Sequence, residues 1–433
     1  MKLDVPWLVL PEGFEFCAVE TDDELEEIIR FNRDLHDPWD GDLLRRFIEH
    51  LPDFRRDLNF YIRDTENGMI VSSMNAIPCT WTYAGIPLRN LEMGFVGTLP
   101  EYQRRGFFNI LYNYFEHLLI EGQYDLSSIQ GIPFFYRKYG YDFILPLDRT
   151  ITLDQASIPS LAPDSIPSFM DITLRESTAE DIPKLMELYS ISQARLLVTA
   201  VRDERLWRAQ ESIRMSEDKP IRTLLLDNND RIEGYFRVGE RRDRVKDTVE
   251  AIIVKESSIL SYDSVMRTLH FLKDAAQAAN TSVIEIPGNR ISNLGQIALD
   301  YGGIMQRGWK YQIRIPNLLN FLNKIRPVLE MRLKSTMYEG ITREIAISTY
   351  RNCYLLKFIE GTLEPIEDLG MQPTRSRYGI RMPPQDLVRL ILGDYSIHEL
   401  GTQNIDFIVR PGRKHFLETL FPKQDSYLYS YQF

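Results

Sequence analysis

The chain has 433 residues, 44% hydrophobic and 26% charged, with a net charge of −11. That length exceeds one compact core and predicts two or three globular domains, while the acidic balance argues against a nucleic-acid partner and suits a small cationic substrate. No apolar run reaches the length of a membrane span, the opening segment is too short and acidic for a signal peptide, three scattered cysteines point to a reducing cytoplasm, and six histidines show no metal-ligand spacing.

In chain order, a predicted strand Phe14–Val19 leads to Thr21-Asp22-Asp23-Glu24, a capping box, and a helix over Leu25–Asn32. A hairpin follows, Leu58–Arg63 and Met69–Met74 around Asn67-Gly68. Strand Leu91–Val96 then runs through Gln103-Arg104-Arg105-Gly106 into an apolar-faced helix, Phe107–Ile120. A strand, a glycine-bearing basic turn and a helix start make an anion cradle. Backbone N–H groups point outward there, the helix dipole favours negative charge, and Gly106 lets a phosphate approach. The spacing is neither the dinucleotide glycine fingerprint nor a P-loop. Strand Leu126–Gln130 follows, then Gly131-Ile132-Pro133-Phe134-Phe135-Tyr136-Arg137-Lys138-Tyr139-Gly140-Tyr141.

The order then recurs. Strand Ile172–Arg175, the segment Ser177-Thr178-Ala179-Glu180, helix Ile182–Tyr189, hairpin Arg222–Leu226 with Gly234–Val238, strand Val249–Val254 and helix Ser264–Ala278 lead to Tyr301-Gly302-Gly303. Five elements in the same order predict a duplication. The second copy has no glycine and no basic cluster over Lys255–Leu260, so it reads as a degenerate unit without cofactor. Three prolines and four serines mark 157–168 as a linker. The expected domains are therefore 1–156, 169–316 and 317–433. The third begins with helix Leu318–Leu333 and ends in Ser426–Phe433, whose period-two aromatics predict a strand tied into the fold.

Gln103-Arg104-Arg105-Gly106 and the Gly131–Tyr141 segment resemble the Gcn5-related N-acetyltransferases (GNAT), whose cradle reads Gln/Arg-x-x-Gly-x-Gly/Ala. Phe108 departs from it, standing where Gly or Ala is usual. Two such units, a third region and an aromatic C-terminus together resemble the Eis (enhanced intracellular survival) family. The resemblance implies an α+β fold: tandem GNAT units, with mixed sheets flanked by helices, plus a sterol-carrier-protein-like α/β domain. It implies acetyl-CoA as cosubstrate without a metal, a small-molecule or peptide amine as acceptor, and a homo-oligomer, often a hexamer. Family cofactor contacts map to Phe95, Val96 and Gly97, to Gln103, Arg104, Arg105, Gly106, Phe107 and Phe108, and to Gly131 and Ile132. Tyr136 maps to the proton donor for the departing thiolate, and the main-chain carboxylate of Phe433 to the base.

Several points stay open at this level. Gly97 fits a bulge from which the next strand splays, or a plain strand end. Glu92 is either a side-chain base or an exposed strand residue. Asp37, Trp39 and Trp81 could meet an amine, or belong to a packed loop and a core strand. Eis-type cradles usually read Arg-Arg-Arg-Gly, so Gln103 departs mildly. No side-chain carboxylate stands beside Phe433, which leaves aminoglycosides in doubt as acceptors. Tandem GNAT units also build N-myristoyltransferases and peptidoglycan aminoacyl transferases. A non-catalytic protein with a degenerate pair, holding an apolar ligand, is the rival of another class, and the bulk of Phe108 favours it.

Overall fold

The computed structural model describes residues 2–3, 5–36, 38–161, 167–216, 221–243, 245–288, 293–371 and 379–428. In chain order the elements begin with β1 (Phe14–Ala18), α1 (Asp22–Leu35), α2 (Pro38–His50), β2 (Asn59–Asp64), β3 (Ile70–Tyr83), β4 (Ile86–Thr98), α3 (Phe107–Glu121), β5 (Leu126–Ile129) and β6 (Asp142–Asp148). Next come β7 (Thr150–Asp154), β8 (Thr173–Glu176), α4 (Ile182–Gln193), β9 (Val198–Ala200), α5 (Glu204–Ser216), β10 (Arg222–Asn228), β11 (Arg231–Arg242), β12 (Val249–Ser257), α6 (Tyr262–Ala278), β13 (Val283–Pro287), α7 (Asn293–Asp300), β14 (Ile304–Met305) and β15 (Trp309–Arg314). The last stretch holds α8 (Leu318–Lys324), α9 (Arg326–Leu333), β16 (Arg343–Ser348), β17 (Cys353–Ile359), β18 (Thr362–Leu363), β19 (Glu367–Asp368), β20 (Ile380–Arg381), α10 (Pro384–Ile391), α11 (Ile397–Gln403), β21 (Ile408–Val409) and α12 (Pro411–Leu420). The chain is α+β with mixed sheets.

The elements gather into two compact units. One comprises Met1–Ile48, Asp53–Leu145 and Tyr311–Ser426; the other comprises Glu49–Pro52, Pro146–Lys310 and Tyr427–Phe433. In the first unit a sheet runs β1-β2-β3-β4-β5-β15-β6. One face packs on α3 through Phe60, Met74, Leu91, Phe107, Leu111 and Phe115. The other carries Tyr61 and Ile70 against Leu25, Ile28 and Ile29 of α1. α1 starts at its capping box: Glu24 N–H donates to Thr21 Oγ1 at 3.2 Å, and Thr21 N–H to Glu24 Oε2 at 3.0 Å. The β3–β4 hairpin runs well past the expected strand ends. Its turn is Ala84-Gly85, with φ of +46° and +86°, the left-handed pair that matches strand twist in a two-residue hairpin.

The second unit holds the sheet β14-β7-β13-β12-β11-β10-β8. It repeats the mixed pattern: β12 lies antiparallel to β11 and parallel to β13, as β4 lies to β3 and β5. Two strands cross the domain boundaries expected from sequence. β7, expected in the first domain, pairs with β13 of the second sheet, and β15, expected in the second, pairs with β5 of the first. Each sheet thus takes in a strand that the linear division assigned elsewhere. The expected linker is also partly core: Ile158 within it and Phe169 just after it both pack into the second unit.

The chain from α8 onward carries the third sheet, β18-β17-β16-β20-β21, with β19 also on β17. The single helix expected over Leu318–Leu333 is two helices. Pro327 has no N–H for the Asn323 carbonyl, and Arg326 Nε donates to that carbonyl instead at 3.3 Å. At the C-terminus, Tyr427 makes a lone parallel bridge to Thr199, with its N–H donating to Val198 O at 3.1 Å. Ser426, Tyr427 and Leu428 are buried. The rest of the expected terminal strand, including Phe433, lies outside the described residues.

Candidate active site

β4 pairs with β5 only over Asn90–Met93. Past Met93 the register against β3 slips between Ser73 and Asn75, and Phe95 takes a φ of +46°. This is a bulge, and it turns Gly94–Thr98 away from β5 while leaving it paired to β3. The N–H and C=O groups on the β5 side of that stretch have no strand partner among the described residues. Gly97 is closely packed: a Cβ there would stand 2.2 Å from Leu35 Cδ2 and 3.1 Å from His36 Nε2, so those side chains would have to move. Phe95 turns its ring toward Phe47, with centroids 5.8 Å apart.

The chain then reaches the cradle. Arg104 and Gly106 both adopt left-handed backbone, with φ of +65° and +85°. Gly106 is the N-cap of α3 and offers no side chain, so the first-turn N–H groups face outward uncapped. A Cβ on Gly106 would meet nothing within 4 Å, so the space in front of it is open. Gln103, Arg104 and Arg105 are exposed; Arg105 lies over the Tyr102 ring at 4.8 Å. Phe107 is buried in the core, so only its backbone is available at this turn. Phe108 does not lie across the cradle as its bulk suggested. Its ring packs on Phe135 at 5.0 Å, Tyr139 at 5.2 Å and Tyr136 at 6.2 Å.

Phe135–Tyr139 forms a short 3-10 turn closed by Gly140. Three tyrosines here have different surroundings. Tyr139 Oη donates to Asn109 Oδ1 at 2.7 Å, and Tyr141 Oη bonds with Ser127 Oγ at 2.6 Å. Tyr136 is 6% exposed, and its hydroxyl has no hydrogen-bond partner among the described residues. Burial, then the neighbouring Tyr141 and Tyr139, push its pKa well above the usual phenol range. Gly131 makes room for this ring, since a Cβ there would stand 2.3 Å from Tyr136 Cε2. Gln312 of β15 donates to Gly131 O at 2.7 Å and fixes the same turn. Ile132 and Phe134 are exposed, and Phe134 has a φ of +71°.

Glu92 is buried, not an exposed strand residue. Only 5% of it reaches solvent, and burial raises its carboxyl pKa to about 7 against the lowering effect of Gln130. Gln130 Nε2 donates to Glu92 Oε1 at 3.0 Å and to Tyr311 Oη at 3.2 Å. Glu92 Oε2 has no partner among the described residues. Sequence reasoning missed Gln130 and Tyr311 as its companions; Tyr311 comes from β15, and no local pattern links it to Glu92. Trp81 is buried edge-on to Tyr311 at 5.7 Å, as a core residue packs. Trp39 lies in α2, with its side chain outside the described atoms, and Asp37 lies outside the described residues. Among the described residues, no group of three His, Cys, Asp or Glu could hold a metal ion, and no helix is long and apolar enough to cross a membrane.

Residues 22–144 match the acetyltransferase (GNAT) domain family. No curated protein matches the chain in sequence. Among solved structures, a GCN5-related N-acetyltransferase from Anabaena variabilis is similar at a TM-score of 0.69 and 14% identity, over 96% of this chain and 99% of that one. A probable N-acyltransferase from Enterococcus faecalis gives 0.71 and 13%, over 96% and 98%. Eis1 from Mycobacterium abscessus gives 0.62 and 15%, over 96% and 99%. The likeness spans nearly the whole chain, and at these identities it is one of fold.

Proposed function

We propose that this protein is an acetyl-CoA-dependent N-acetyltransferase acting on an amine of a small cationic or peptide substrate. The observation that carries this reading is a pair of features on one strand–turn–helix: the Gly94–Thr98 edge freed by the bulge, and the open, uncapped N-terminus of α3 at Gly106. An edge with free amide groups suits a pantetheine arm, and an uncapped basic helix start suits its pyrophosphate. Phe95, Val96 and Gly97 would hold the first; Gln103 to Phe107 would hold the second, Phe107 through its backbone. Gly131 and Ile132 would line the opposite side of the splay. When bound, acetyl-CoA supplies the activated thioester.

Tyr136 serves as proton donor in this reading. A phenol whose pKa is raised by burial stays protonated at neutral pH, and its hydroxyl is not engaged elsewhere. For the proton acceptor, the resemblance implies the Phe433 carboxylate. Glu92 is the second reading, favoured by its unpartnered Oε2 and its titration near pH 7. Gln130 would orient it, leaving Oε2 to meet an ammonium. An Eis-like subfamily, a sterol-carrier-like third domain, a cytoplasmic location and a homo-oligomer, up to a hexamer, belong to the same proposal; sedimentation of the purified protein tests the last.

The test is acetyl transfer to a panel of amines, read as free thiol. Tyr136→Phe keeps the ring and deletes the proton. It should lower kcat by about 10²–10⁴-fold with CoA affinity intact. Two residues added after Phe433 move its carboxylate by about 3.3 Å each. Turnover should then collapse if the terminus is the base, and Glu92→Gln should have little effect. If Glu92 is the base, its variant instead loses the rise in rate with pH through about 7. Undiminished turnover in Tyr136→Phe would overturn the donor assignment, and no response to acetyl-CoA in a thermal-shift assay would overturn the enzyme reading.

A further inference from the structure

Several buried or half-buried arginines in this chain are matched by carboxylates. Arg202 and Arg237 pair with Glu256, Arg314 with Glu116, and Arg389 with Asp142. Acidic residues outnumber Lys and Arg by 62 to 51, so partners are plentiful. Three arginines near the start of α12 cluster without such a match among the described residues. Arg410 immediately precedes the helix and Arg413 lies in its first turn, which carries no acid. Gly379 draws their stems together: a Cβ there would stand 3.3 Å from Arg410 Cδ and 3.2 Å from Arg413 Cγ. Arg410 N–H donates to Gly379 O at 2.8 Å. Arg343 opens β16, and its guanidinium lies 5.9 Å from the Phe416 ring, one helical turn beyond Arg413.

Among the described residues, none of the three guanidiniums has a carboxylate partner. Arg413 Nη1 is buried with no acceptor among the described residues. Burial, then the like charges of Arg343 and Arg410, hold the Arg413 pKa below its ordinary value. A buried donor without an acceptor and three uncompensated like charges both disfavour the fold as it stands. An oxyanion with several acceptor oxygens removes both costs at once, and guanidinium forks match that geometry.

We propose that Arg343, Arg410 and Arg413 form a binding site for an oxyanion of the phosphate class, distinct from the Gln103–Gly106 cradle. The proposal does not depend on the acetyltransferase reading. A tetrahedral dianion suits three forks better than a single carboxylate does, because it offers acceptors on more than one face and balances more charge.

The experiment is thermal unfolding of the full chain, with inorganic phosphate titrated against sodium chloride at matched ionic strength. Coenzyme A is present in excess, and a parallel series uses Gly106→Glu, so phosphate at the cradle is not read. Phosphate should raise the midpoint saturably in both series. Arg413→Gln and Arg343→Gln should lose that rise, while in chloride they unfold no earlier than the parent, because repulsion is relieved. Should Arg413→Gln unfold early in chloride, Arg410→Gln, at an exposed position, carries the same test. A midpoint indifferent to phosphate at matched ionic strength overturns the site. So does a phosphate-dependent rise that survives in the Arg343→Gln/Arg413→Gln double variant.

Discussion

Glu92 shows what the fold does to a single side chain. It stands directly across from Ile77 of β3 and beside Ser128 of β5, so both neighbouring strands screen it from water. Its carboxyl is raised from 4.5 to about 7 by burial, with Gln130 as the one opposing hydrogen bond. Between those values the folded chain holds a proton that the unfolded chain has lost. Stability therefore falls as pH rises through that window, and the cost of the buried charge is fully present above about pH 7. Glu92→Gln removes this dependence. Relative to the variant, the parent should lose up to about 3 kcal/mol between pH 4.5 and 7.5, read from urea midpoints at each pH. Parallel pH profiles for the two proteins would show that Glu92 is hydrated or otherwise paired. The sequence offered Glu92 only as one of two alternatives, because strand alternation says which face a residue takes but not what covers that face.

The two copies diverge at the element scale. Both keep the bulged strand: in β12 the register slips at Lys255, with Val254 facing Val238 and Glu256 facing Arg237, and pairing with β13 is confined to Ile252 and Ile253. What differs is the helix start that follows. α3 begins at bare Gly106, whereas α6 is capped by Ser261, whose Oγ accepts from Ser264 N–H at 3.1 Å. Beside the second bulge, Arg237 and Arg202 are locked to Glu256, and Arg237 also to Glu211, all of them buried. A helix start that caps itself does not need an anion. Calorimetry should accordingly count one acetyl-CoA per chain, and Gly106→Glu should abolish that binding by placing bulk and like charge at the cradle. Two sites per chain, or unchanged affinity in a folded Gly106→Glu, would refute the assignment. The basic turn and glycine helix start at Gly106 were legible in sequence because these residues are contiguous. The capping box Thr21–Glu24 was legible for the same reason, whereas those at Thr178–Asp181 and Ser396–Glu399 were not read as such. The break at Pro327 is equally local, because a proline there cannot donate to the preceding turn.

At the scale of the whole molecule, the sheets do not follow the linear order of the copies. Gln312, Ile313 and Arg314 pair with Ile129, Ser128 and Ser127, some 180 residues earlier. Arg314 reaches across to Glu116 and Tyr112 of α3, and Lys324 pairs with Asp125. Tyr83, buried at the end of the long hairpin, donates to Ile391 O at 2.9 Å and accepts from Arg332 at 3.1 Å. Element types could be read from periodicity, but this return of the chain could not, because a pairing between distant strands leaves no mark within either one. The return has a measurable consequence. A chain ended at residue 156 keeps the cradle and Tyr136, yet it exposes the β5 edge, leaves Glu116 without Arg314, and frees the Gly131 carbonyl from Gln312. An unpaired strand edge invites association, and a half-buried carboxylate without its arginine disfavours the compact state. Such a truncation should aggregate or lose its cooperative unfolding transition, and should not bind acetyl-CoA, by size-exclusion chromatography, circular dichroism and calorimetry. A chain joining 1–145 to 311–426 through a flexible linker restores β15 and should recover a cooperative transition. If residues 1–156 alone fold as a monomer and bind acetyl-CoA as the full chain does, the first unit does not need its late strand, and the domain order of the sequence is sufficient after all.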